Sequence, residues 1–187
     1  MIYGKYKSIR NAVWQALIDF KINSLPIFIS DITEQLDIKT VDNKDVDILK
    51  KGERGVTICT TDCWYIIVDE TEEFGTQRFT VAHELAHILL GHLLVGKIRY
   101  RTFAVRSEQE ASADMFAARL LTPACILHEL QILTPEAISK LCCVSISCAK
   151  IRAERMAELE QRNKYYLHPL ERQVREQFRE FINSYNE

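Results

Sequence analysis

The stretch Thr76–Leu94 (TQRFTVAHELAHILLGHLL) constrains this chain more than any other, because it is apolar almost all round yet carries a glutamate and three histidines. A helix without a polar face belongs in a core, and an acid inside a core needs a partner or a function. His83 and His87 are four residues apart, so on a helix their rings share one face. Glu84 projects beside that pair. Two nitrogen donors and a carboxylate base on one rigid element suit a tetrahedral ion and a reacting water, which is the physical sense of H-E-x-x-H. A pair of core histidines on an ordinary buried helix is the competing reading, and Glu84 argues against it.

Such a centre needs a third protein ligand. One zinc class places glycine three residues and histidine six residues after the second His. Those positions are Leu90 and Leu93 here, with Gly91 and His92 off register. The next helical pattern, Glu108–Leu121, stopped by Thr122-Pro123, supplies acids instead. In it Glu110, Asp114, Ala117 and Leu121 share a stripe that otherwise reads as core. Glu110 is the candidate third ligand, and Asp114, one turn on, can accept the free ring N–H of a ligating histidine. Solvated acids, or partners of Arg106 and Arg119, are the alternative. Glu108 lies off the stripe and reads as solvent-facing. Three protein ligands leave a corner for water, as catalytic rather than structural zinc sites do, and Glu84 could take its proton. His92 reads as a cap or packing residue. Tyr100, His128, Tyr165, Tyr166 and His168 are available oxyanion donors, and no spacing singles one out.

Elsewhere, Ile9, Ala12, Val13, Ala16, Leu17 and Phe20 recur at helical spacing, and Ile32–Leu36 reads as a short helix capped by Ser30 or Asp31. Thr40–Gly55 is charged, contains two glycines and reads as loop. Val56–Thr60 and Trp64–Asp69 flank a Thr-Thr-Asp turn, predicting a hairpin. Trp64–Asp69 precedes the histidine helix and is the candidate edge for an extended substrate. Gly96–Ser107, with Lys97, Arg99, Arg101 and Arg106, reads as a basic loop or strand. Thr134-Pro135 opens a helix over Glu136–Cys142. A tight Cys143-Val144-Ser145 link then leads to a helix reaching about Arg162, with the cadence of a helix-turn-helix. Residues 135–165 hold six Lys/Arg against four Glu, a surplus that fits packing or protein docking as well as DNA. A polar helix, Leu170–Tyr185, follows Pro169.

A chain of 187 residues fits one domain, or one plus a small appendage. Its net charge of −2 leaves no whole-chain footprint for nucleic acid or an anionic membrane. No apolar run reaches the roughly 20 residues that span a bilayer, and the polar start lacks an apolar signal region, so a cytoplasmic location is expected. Six cysteines without a C-x-x-C read as reduced, small buried residues rather than a second zinc site.

The segments RFTVAHELAHILLGH (78–92) and E-x-x-A-D-x-F-A-A-x-L-L-x-P (110–123) resemble the ImmA/IrrE family of bacterial and phage metallopeptidases. The order H-E-x-x-H then E-A-x-x-D is similar to the gluzincin arrangement of thermolysin-like peptidases. A looser likeness covers the N-terminal helix and hairpin and the helices after Pro123. This resemblance implies Zn2+ held by His83, His87 and Glu110, with Glu84 as general base. It also implies intracellular cleavage or inactivation of a helix-turn-helix transcriptional repressor controlling phage genes, mobile elements or stress responses. Ala86 stands where that family usually has glycine. The expected architecture is α+β: a zincin-like peptidase domain over residues 1–125 with a small antiparallel sheet, then a helix-turn-helix-like module and C-terminal helix over 126–187. The expected activity is that of a zinc-dependent endopeptidase. The alternative is a zincin-like regulatory module that sequesters a repressor or binds DNA without hydrolysis.

Overall fold

The apolar spacing near the N-terminus forms helix α1, Ile9–Asp19, which buries Ala12, Val13, Trp14, Ala16 and Leu17. The computed structural model describes residues 3, 4, 8–61, 63–92 and 108–187. The expected basic segment Gly96–Ser107, Tyr100 within it, and Asp62 of the expected turn lie outside the described residues. Helix α2, Ile29–Gln35, starts earlier than its pattern suggests. Its N-cap is Phe28, whose side chain caps nothing, so Ser30 and Asp31 sit inside the first turn. There Asp31 favours the helix through the dipole rather than through a capping bond.

The stretch expected as loop from Thr40 instead begins inside a strand, β1, Ile38–Asp42. Strands β2, Gly55–Cys59, and β3, Trp64–Val68, form the expected hairpin. Because β2 occupies one side of β3, β1 adds to the other side and runs parallel to it, in the order β1-β3-β2. The sheet is therefore mixed, not antiparallel. Trp64–Asp69 is also not the edge: β3 is central, and among the described residues β2 is the edge strand that lies against the histidine helix.

That helix, α3, spans Phe74–Leu89. Gly91, at φ 73°, stops it sooner than the apolar run would. The N–H groups of Gly91 and His92 return to the carbonyls of Ile88 and His87 at 3.1 and 2.9 Å, a Schellman closure. On its flanks α3 meets β2, β3 and α4, Glu108–Leu121. Gly55 permits the close approach of β2, since a Cβ there would stand 2.4 Å from Thr80 Cγ2.

Helix α5, Ala124–Glu129, follows Pro123. Helix α6, Pro135–Cys142, begins as its sequence predicts: Thr134 accepts from the Ala137 N–H at 3.3 Å and Pro135 occupies the first turn. Cys143 takes a left-handed conformation (φ 53°), and Ser145 caps α7, Ile146–Gln161. This turn seats on the start of α3. Arg78 Nε donates to the Cys143 carbonyl at 3.0 Å and Nη2 to that of Ile27 at 2.7 Å. A Cβ on Gly75 would come within 2.7 Å of Ser145 N. The expected final helix is broken at Phe178 into α8, Pro169–Gln177, and α9, Arg179–Asn186.

One hydrophobic cluster runs from Leu17 of α1 through Leu85 and Leu89 of α3 and Phe116 and Leu120 of α4 to Ile138 and Val174, passing across residue 125. Each such side chain contributes roughly 1.5–3 kcal/mol on burial. All six cysteines are unpaired, and Cys125 and Cys142 are buried, their thiols pushed up to about 12 by desolvation. Among the described residues no helix is long and apolar enough to cross a membrane.

Candidate metal centre

His83 and His87 leave α3 one turn apart with their rings edge to face and 4.8 Å between centroids. Their Nε2 atoms are 3.0 Å apart. From α4, Glu110 Oε2 reaches to 3.1 Å from His83 Nε2 and 3.5 Å from His87 Nε2. Zinc bonds of about 2.0–2.1 Å in a tetrahedron separate neighbouring donors by about 3.3 Å. The three atoms therefore fit one ion, and these residues are the group among those described that could hold a metal. Packing of α3 along α4 is what creates the group, since the two segments are joined only through residues 90–107 in sequence.

Asp114, one turn beyond Glu110, has Oδ1 2.8 Å from His83 Nδ1. Helix α4 thus faces both nitrogens of the same ring. A proton on Nδ1, donated to Asp114, leaves the Nε2 lone pair directed at the shared point. Burial works to lower the His83 pKa, but the bond to Asp114 and the charges of Glu84, Asp114 and Glu110 outweigh it and raise the value. Asp114 is 61% exposed while Glu110 is 19% exposed. The buried stripe of α4 is Ala113, Phe116, Ala117, Leu120 and Leu121, so the two acids mark its margin rather than its centre. Glu108 is exposed, as expected.

Glu84 is 2% exposed and points to the sheet, where Thr57 Oγ1 of β2 donates to its Oε2 at 2.6 Å. Sequence reading missed Thr57, because a threonine in a β-rich run carries no signal of what faces it. It also undervalued His92. The helix stop at Gly91 turns His92 back so that its Nδ1 lies 2.9 Å from Nδ1 of His87. Each histidine of the pair therefore has a polar partner on its far nitrogen. Of the other possible donors, His128 stacks on Tyr165, Tyr166 donates to the Cys125 carbonyl, and His168 stacks on Trp14. These contacts all belong to the helical part beyond α4 and its packing on α1.

A family model described as peptidase M78, IrrE N-terminal-like domain, matches residues 33–154. The chain belongs to the M78 peptidase family. Among curated proteins no match is found. The M78 span begins within α2 and ends within α7, taking in the sheet, the His83–His87–Glu110 group and the turn at Cys143–Ser145. Membership points to a peptidase, in a family that is typically metal-dependent.

Proposed function

We propose that this M78 member is a zinc-dependent endopeptidase, with His83, His87 and Glu110 as ligands and Glu84 as general base. The observation that carries this reading is the convergence of three donor atoms within 3.5 Å beside a buried carboxylate. Two imidazoles and a carboxylate are a donor set that suits zinc. A zinc ion there would supply Lewis acidity to the scissile carbonyl and a water of pKa about 7.

Glu84 takes the proton of the attacking water and delivers it to the amine nitrogen as the C–N bond breaks. Thr57 holds the Glu84 carboxylate by its Oε2. Asp114 holds His83 in the tautomer whose Nε2 is available for an ion, and His92 orients the ring of His87. Because His83, Glu84 and His87 are nearly sealed from solvent, their electrostatic interactions are stronger than in water. Strand β2 offers an edge to which an extended substrate could add its backbone.

For the substrate we propose a helix-turn-helix transcriptional repressor, met in the cytoplasm. Its support is the resemblance of residues 78–92 and 110–123 to the ImmA/IrrE family. Purified protein should hold about one zinc per chain. Glu84→Gln should keep that zinc and lose cleavage of a co-expressed repressor. Cleavage by Glu84→Gln at the parent rate overturns the mechanism. Retention of the repressor uncut by both proteins would replace it with the non-hydrolytic reading.

A further inference from the structure

A second concave site shares no lining residue with the donor group. It is a cavity of about 260 Å³ between α1, α4, α7 and α8. Its wall carries five cations, Arg10, Arg119, Arg152, Arg155 and Lys164, against one carboxylate, Glu171. In a chain of net charge −2, that gathering is local and not a consequence of composition.

Little inside the protein neutralises it. Arg119 makes no ion pair or side-chain hydrogen bond with any described residue. Arg152, buried, donates to neutral acceptors only: Thr122 Oγ1 at 2.8 Å and the Ala118 carbonyl at 3.2 Å. Arg10 lies over the ring of Trp14, 4.7 Å from its centroid. Arg155 pairs with Glu158 on the exposed side of its own helix. Glu171 is itself buried, which raises its pKa and weakens it as a counter-ion. The arginines also oppose one another. Burial, then the charges of Arg10 and Arg155, depress Arg119, and burial, then Arg119, brings Arg152 down to about 10.

Like charges gathered around a hollow, with Arg119 half-buried and Arg152 buried, are costly unless an anion joins them. A guanidinium fork matches phosphate oxygens two at a time. The cavity volume lies just below the small-ligand range of about 300–1,000 Å³, and its cations come from α1, α4, α7 and the link after α7 around one hollow. This favours a compact anion over a nucleic-acid strand. A singly charged carboxylate would leave most of the positive surplus in place, whereas linked phosphates would offset it.

We propose that this hollow is a binding site for a small, multiply charged, phosphate-bearing anion, held by Arg119, Arg155 and Arg10 over Trp14. It stands whether or not the metal centre is catalytic.

The test titrates the full chain with inorganic pyrophosphate by calorimetry at ionic strength held constant with chloride. Saturable one-site binding is expected, tighter for pyrophosphate than for monophosphate. Arg119→Gln and Arg155→Gln should each weaken it about tenfold or more, as loss of a charge-assisted contact does. Glu110→Ala should bind like the parent, which separates this hollow from the metal centre. Absence of saturable binding overturns the proposal. So does parent-like affinity in both arginine variants, whose side chains lie on different helices and outside the core. Binding of duplex DNA that Arg119→Gln weakens, with none of pyrophosphate, overturns it in favour of a nucleic-acid surface.

Discussion

Thr57 Oγ1 on the edge strand β2 and Glu84 Oε2 on α3 are joined by a 2.6 Å hydrogen bond between side chains that are 1% and 2% exposed. The sheet therefore reaches the chemistry through one hydroxyl. Thr57→Val keeps the side-chain shape and removes the donor. On the proposed mechanism it should lower kcat about tenfold while leaving metal content unchanged, because what it loses is orientation of the base. Thr57→Ser should stay near the parent. Single-turnover cleavage together with metal analysis separates these outcomes.

Metal affinity should fall in a graded order along α4. Glu110→Ala removes a donor atom of the converging group. Asp114→Asn leaves the three donors and weakens only the hold on His83 Nδ1, so a loss of about 10–100-fold is expected, smaller than that of Glu110→Ala. Competition with a chromogenic chelator measures both. An Asp114→Asn affinity equal to the parent would remove Asp114 from the account.

The raised pKa of His83 sets a pH dependence. Protons and metal compete for the same imidazole, so zinc affinity should decline as pH falls, beginning above the ordinary histidine value of about 6.5. In the protein stripped of metal the sign reverses. A folded pKa above the unfolded one stabilises the fold at pH below about 6.5, and that contribution disappears as pH rises through the raised value. Chelator competition and denaturant melts across pH 5 to 8 (roughly the imidazole range) should therefore slope in opposite directions.

Gly75→Ala should destabilise the protein without touching the donor group. The added Cβ would lie 2.7 Å from Ser145 N and 2.9 Å from Val144 C, both backbone atoms that cannot swing aside. Overpacking of this kind costs about 1–3 kcal/mol. Chemical denaturation of the variant should show a lower midpoint, with zinc still bound in the folded protein.

Several elements were legible locally because local chemistry decides them. The α6 start at Thr134-Pro135 satisfies its own first turn, and the period of Ile9 to Phe20 needs no distant partner to read as helix. The strand β1 was not legible. In Ile38–Asp42 only Ile38 is buried, so its side chains do not alternate, and its stability comes from backbone pairing with β3 more than twenty residues away. For the same reason Trp64–Asp69 could be recognised as a strand but not as the centre of a sheet. Gly91 was visible, yet the folding back of His92 onto His87 follows from the closure geometry and not from residue type.

The sequence alone puts two imidazoles on one helical face, since a spacing of four residues on a 3.6-residue turn sets that face whatever surrounds it, and it places a carboxylate beside them. It also singled out Glu110 and Asp114 as acids in apolar company. That α4 lies along α3 at a distance bringing Glu110 Oε2 to 3.1 Å from His83 Nε2, and that β2 supplies Thr57 to Glu84, came from the packing of the folded chain. Those contacts depend on how helices and sheet bury their apolar surfaces against one another, and packing between segments far apart in the chain leaves no periodic mark in either of them.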